Sequence, residues 1–193
     1  MGYSECFYNL SHGTNCESAD NILKYGFEIR GDTSSWCGKG VYFYDLKSKA
    51  WWSANRTCTD LRKRTGVKHK PIVIFADVLN LNKDNIFDLR AYSDLQEFKH
   101  FVEVALKNNN SIFKISELKN DEERIITFRS MLISYFADNN NKKLIIGTFK
   151  QREQNLYKNT IDFANSLNLL FGFETIYCVK DINIISNIRL GGV

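Results

Sequence analysis

Two short strands, each delivered at once into a helix, constrain this chain more than any other feature. The first runs from Glu5 to Ser11, where Phe7, Tyr8 and Leu10 supply apolar and aromatic strand formers before a His12-Gly13-Thr14 turn. The second runs from Val41 to Tyr44, between the Gly38-Lys39-Gly40 turn and a helix that opens near Lys47. A turn at a helix start leaves backbone N–H groups free. Two such strand ends, one presenting the imidazole of His12 and one the phenol of Tyr42, make a cleft for a flat, charged, dinucleotide-like ligand. The rest of the chain reads as the scaffold that holds them.

The scaffold can be followed in order. Thr14 and Glu17 have capping-box spacing, so a helix follows, with Ala19, Ile22 and Leu23 on its inner face and Gly26 closing it. Phe27 to Ile29 reads as a brief strand, and Arg30 to Gly40 as a loop around Trp36. Lys47 to Cys58 reads as a helix with Ala50, Ala54 and Cys58 in line. Trp51 and Trp52 lie beside that line, where an indole is more often core than ligand platform. Arg62 to Lys70 reads as a basic loop that ends at Pro71. Ile72 to Val78 is apolar and β-branched, the pattern of a buried strand. Asn85 to Leu89 continues or ends the sheet.

Ser93 to Lys107 is helical by the spacing of Leu95, Phe98, Val102 and Leu106. Asn120 and Glu123 cap another helix, whose inner stripe is Ile125, Phe128, Met131 or Leu132, and Tyr135. Leu144 to Ile146 and Phe173 to Lys180 are strands, and Ile182 to Ile188 extends or follows the second. Gln151 to Leu170 divides between helix and loop. With no repeat and no linker, residues 1–193 read as one domain. Regular helical crossovers do not join the strands throughout. This argues for an α+β domain with a split, mostly antiparallel sheet and surrounding helices, not a doubly wound parallel one.

Composition narrows the setting. No apolar run approaches the about 20 residues that span a bilayer, and no charged-then-apolar leader precedes Cys6. Five cysteines form no C-x-x-C pair, and none of the three histidines has ligand spacing to such a pair. The expectation is a cytoplasmic protein without disulfides, zinc or membrane contact. A net charge of +4 permits an anionic partner without demanding one. The Arg62–Lys70 run is a solvated loop, or a contact for nucleic-acid phosphates or an acidic target, but no nucleic-acid-binding motif accompanies it.

Leu10-Ser11-His12-Gly13-Thr14, Tyr25-Gly26-Phe27, Gly38-Lys39-Gly40-Val41-Tyr42-Phe43-Tyr44-Asp45, Ser48-Lys49-Ala50 and Tyr177-Cys178-Val179-Lys180-Asp181 occur in this order. Together they resemble the catalytic domain of ADP-ribosyltransferases of the diphtheria-toxin and poly(ADP-ribose)-polymerase type. The resemblance covers residues 6–58 and 171–190. It implies a bent NAD held across two half-sheets as a substrate, with no metal. It implies that His12 bonds the adenosine ribose, that the Gly13 backbone holds the nicotinamide carboxamide, and that Thr14 touches a ribose hydroxyl. Tyr42 would stack on the nicotinamide, and Trp36 would wall the cleft.

The reaction so implied is cleavage of the nicotinamide glycosidic bond through an oxocarbenium-like transition state, which a carboxylate stabilises. At that position this sequence has Ile176, with Glu174 two residues earlier on the same strand face. Three readings stay open: Glu174 is the working carboxylate, Ile176 marks a mono-ADP-ribosylating enzyme, or the domain is inert and only binds NAD, ADP-ribose or a partner. Ala50 is a second departure, for which Ser48 or Ser53 can substitute. The implied acceptor is a macromolecule, protein or nucleic acid. The bare domain points to a toxin, defence or effector enzyme, for which a neutralising antitoxin is a candidate partner. A related RNA 2′-phosphotransferase needs a basic cluster beside His12, and none is found there.

Overall fold

The computed structural model describes residues 4–29, 35–108, 122–150 and 173–191. The Asn120 cap and the Gln151–Leu170 stretch lie outside them. The apolar run after Pro71 becomes β3 (Pro71–Leu81), an interior strand on which Ile74, Ala76, Val78 and Leu81 lose all exposure. It lies between β1 (Glu5–Asn15) and β7 (Ile185–Leu190), antiparallel to both. β2 (Val41–Tyr44) pairs with β6 (Phe173–Val179), β6 with β5 (Leu144–Lys150), and β5 with β4 (Ile86–Asp88). The order is β4-β5-β6-β2-β1-β3-β7, and only the β4–β5 pair is parallel. Four helices are described: α1 (Cys16–Tyr25), α2 (Lys47–Thr65), α3 (Tyr92–Asn108) and α4 (Glu122–Asn139). This is a mixed fold on one seven-stranded, mostly antiparallel sheet.

The sheet has a seam. β1 runs in register with β3 along most of its length, whereas its ladder with β2 is one pair long, Ser11 with Tyr44. Among the described residues, that one ladder pair joins β4-β5-β6-β2 to β1-β3-β7 within the sheet. Two core clusters cover the two faces. Leu10, Val41, Phe43, Tyr177 and Val179 belong to one; Tyr44, Ile176 and Cys178 belong to the other, with Tyr42 packed against it. Alternation along each strand explains the division.

Near its start β1 is irregular. Asn9 has φ +56°, and the register with β3 shifts on either side of Phe7. Buried Asp77 pins this bulge, accepting from the Asn9 N–H at 2.8 Å and from Asn187 Nδ2 at 2.8 Å, with Arg189 Nη2 at 3.5 Å. Burial alone pushes the Asp77 carboxyl up; these donors outweigh it and hold its pKa below the ordinary range.

Several expectations are corrected. β1 extends through Asn15, and Asn15, not Thr14, caps α1, accepting from the Ser18 N–H at 2.9 Å. Phe27–Ile29 forms no strand. Ile182–Ile184 is a 3-10 turn, and only Ile185 onward joins the sheet. α2 does not stop at Cys58: Arg62-Lys63-Arg64 form its last turn. Gly66 ends it at φ +74°, giving its N–H to the Arg62 carbonyl at 2.9 Å. Cations suit a helix C-terminus. Trp51 and Trp52 are not core but 48% and 42% exposed. On α4 the buried line is Ser130, Ile133, Phe136 and Ala137, while Ile125, Met131 and Tyr135 face outward.

Candidate functional site

Where β1 and β2 part, a cleft of about 530 Å³ opens. That volume lies in the range of small-ligand sites, about 300–1,000 Å³. His12, Gly13 and Thr14 of β1 line it, with Tyr42 of β2, Asn21 and Tyr25 of α1, and Thr57 of α2. Glu28 is the acidic residue of the lining.

His12 and Tyr42 share the cleft but do not point the same way. The imidazole packs edge-on against Phe27 and Phe43, with centroids 5.1 and 5.8 Å away, on the α1 side of the sheet. The Tyr42 ring lies with the other core cluster. What joins them is a bond across the seam, His12 Nδ1 to the Tyr42 carbonyl oxygen at 2.8 Å. A carbonyl only accepts, so Nδ1 carries the proton, and in the neutral ring Nε2 is left as an acceptor. Burial lowers the His12 pKa, more than the Tyr42 carbonyl raises it, so the ring is held neutral.

The Tyr42 hydroxyl is occupied. It donates to the Gly38 carbonyl and accepts from the Cys37 N–H at 3.0 Å. It therefore clamps the Gly38-Lys39-Gly40 turn, and burial pushes its pKa well above the ordinary phenol value. Tyr42 lines the cleft, but its hydroxyl proton is held by the Gly38 carbonyl and its ring packs with the second core cluster. Gly13 is required by packing: a Cβ there would stand 1.8 Å from the Ala50 carbonyl oxygen and 2.8 Å from the Ala54 nitrogen. Gly40 is required similarly by β6, since its Cβ would meet Cys178 Sγ at 2.4 Å.

The remaining site residues named from the sequence lie elsewhere. Glu174 is buried on β6 opposite Phe149 and forms an ion pair with Lys49 of α2. Ile176 stands opposite Tyr44 and is fully buried. Trp36 packs 5.1 Å from Phe149, with the Arg129 guanidinium 4.7 Å above its ring. Ser48 is exposed on the first turn of α2. None of the four is among the cleft-lining residues. Asn21, Glu28 and Thr57, which are, carry no sequence signal beyond helix and loop placement, whereas Tyr25 belongs to the Tyr25-Gly26-Phe27 motif. Among the described residues no group of three or more His, Cys, Asp or Glu could hold a metal ion. No family model, curated protein or solved structure matches the chain.

Proposed function

We propose that the chain is an NAD-dependent mono-ADP-ribosyltransferase working at the seam cleft. One observation carries this reading: His12, Gly13, Thr14 and Tyr42 meet around a single cleft where two half-sheets part. In the reaction, the bond from ribose C1′ to nicotinamide breaks and its electron pair leaves with the nicotinamide. A nucleophile of a macromolecular acceptor, protein or nucleic acid, bonds to C1′ and gives up its proton.

The residues suit these tasks. The Tyr42 ring lies against the planar nicotinamide cation, an arrangement aromatic faces favour. His12 Nε2 accepts from a ribose hydroxyl while Nδ1–H stays on the seam, and the Thr14 hydroxyl serves a second ribose contact. One preorganised polar group that acts on developing charge contributes about 3–4 kcal/mol. An isoleucine at position 176 removes the carboxylate that chain elongation needs, so transfer stops at one unit, with Glu174 as the nearest carboxylate on that strand face. The setting is a cytoplasmic toxin, defence or effector enzyme, with a neutralising antitoxin as its natural partner.

A second reading is favoured by the Lys49–Glu174 ion pair, which neutralises that carboxylate outside the cleft lining. On it, the fold binds NAD or ADP-ribose, or a partner, without turnover.

Nicotinamide release from NAD, with cell lysate as acceptor, separates the two. The wild type is expected to release nicotinamide. Tyr42→Phe, which keeps the ring, retains most of the rate, and Tyr42→Ala loses it while thermal melting reports on the fold. Loss in Glu174→Gln makes Glu174 the working carboxylate. NAD binding without release, with release gained in Ile176→Glu, establishes the binding module. Full turnover by folded Tyr42→Ala sinks the site assignment.

A further inference from the structure

From the outer face of α2 and the loop after it, we infer a binding surface for single-stranded nucleic acid. Residues 47–70 contain eight Lys or Arg and one Asp, a local charge of +7. The whole chain carries +4, which leaves −3 for everything else. A third of the cations thus sit on one helix and its loop, against an acidic remainder. Arg56, Arg62, Lys63, Arg64, Lys68 and Lys70 are all exposed, and Lys63 lies 3.8 Å from the Asp60 carboxylate.

Charge alone describes an ordinary solvated helix. Two exposed indoles make this face different. Trp51 and Trp52 sit at the start of α2 with 48% and 42% of their surface in water. Tryptophan is usually well buried, and here the buried side of the helix is already filled by Ala50, Ala54 and Cys58. The Arg56 guanidinium lies 5.6 Å above the Trp52 ring. Down the helix, Asn55, Thr59, Arg62 and Lys63 continue the exposed side. From Trp52 to Lys63 is about 17 Å at 1.5 Å per residue. Stacking platforms followed by a track of cations are what a single strand needs: bases stack on aromatic faces regardless of sequence, and the backbone follows the positive groove.

An anionic membrane is the competing partner for cations and indoles. A helix lying in a bilayer presents a continuous apolar face. The outer face of α2 is apolar at its first turns only, and Asn55, Arg56, Thr59 and Lys63 interrupt it, so the single strand fits better. Thr57 on this helix lines the seam cleft, so a bound strand passes close to it. The binding itself does not depend on the transfer reaction.

The test is fluorescence anisotropy of a labelled 20-nucleotide oligo(dT) with the full chain, without NAD, over a range of salt. Binding is expected with a log–log salt slope of about −0.7 for each phosphate neutralised. Arg62→Gln, Lys63→Gln and Arg64→Gln together flatten that slope by about 2. Trp51→Ala with Trp52→Ala weakens binding about tenfold per indole without changing the slope. Oligonucleotide quenching of wild-type tryptophan fluorescence gives an independent readout that requires no variant. No anisotropy change at low salt overturns the proposal, and so does unaltered affinity in the folded double indole variant. Binding to vesicles of phosphatidylcholine and phosphatidylserine in place of the oligonucleotide assigns the face to a membrane and also overturns it.

Discussion

His12 divides its two nitrogens between scaffold and cleft. Nδ1–H is spent on the Tyr42 carbonyl, across the one place where the sheet is not continuous. The ring is wedged between Phe27 and Phe43, so ionising it there costs solvation that the single carbonyl does not return. Its pKa is therefore lower folded than unfolded, where it is about 6.5. The unfolded chain binds the extra proton first as pH falls, so this contribution to stability is full above about 6.5 and lost progressively below it. Thermal melting between pH 7.5 and 5 is expected to show that decline. His12→Gln, which keeps an N–H for the Tyr42 carbonyl but does not titrate, is expected to melt with a flatter profile across the same range. Equal slopes in the two proteins would remove the assignment of a half-buried ring held neutral.

At the scale of elements, α2 decides most of what surrounds the cleft, and Gly13 is where it docks. A Cβ on Gly13 has no room against Ala50 and Ala54, whereas one on Gly66, at φ +74°, meets no atom within 4 Å. Gly13→Ala must therefore push a helix off the sheet, at about 3 kcal/mol. Gly66→Ala bears only the left-handed backbone, at about 1 kcal/mol. Urea denaturation of both variants checks the order, and equal midpoints would mean that α2 does not rest on Gly13. The sequence made the first strand and the start of α2 legible, because each has a local signature, but the turn it suggested at His12-Gly13-Thr14 is a continuation of β1, paired with β3 through Asn15. It did not show how far α2 runs, since Arg62-Lys63-Arg64 look like a loop until Gly66 is seen to cap them. Nor did it show that Trp51 and Trp52 stay outside, because the small residues Ala50, Ala54 and Cys58 let the helix press close without them. The opposed directions of His12 and Tyr42 were hidden for a related reason. They depend on strand register, and one residue of slip reverses every side chain. The bulge around Asn9, fixed by the distant Asp77, helps set that register.

Over the whole molecule, the seam sets where the fold can open. β1 is bonded to β3 from Ser11 through Asn15, but to β2 by one ladder pair and the His12 imidazole. Opening between the halves breaks few backbone bonds, while opening between β1 and β3 breaks a full ladder. Local opening free energies follow that difference, and amide exchange reads them. The amides of β1 that face β3 should exchange only by near-global unfolding. Those beyond Ser11 that turn toward β2 should exchange orders of magnitude faster in the free protein. A ligand that sits in the cleft bridges the two halves and is expected to slow the second set, because opening the seam releases it, and to slow the first set as well, because global unfolding releases it too. NAD is the ligand to add, since its effect on this one edge ties the seam to the proposed substrate without any turnover. Uniform protection along both edges of β1 would mean that the two halves form one continuous sheet. Slowing of the first set alone would mean that the seam opens with NAD still bound, and so that NAD does not span the gap beside His12.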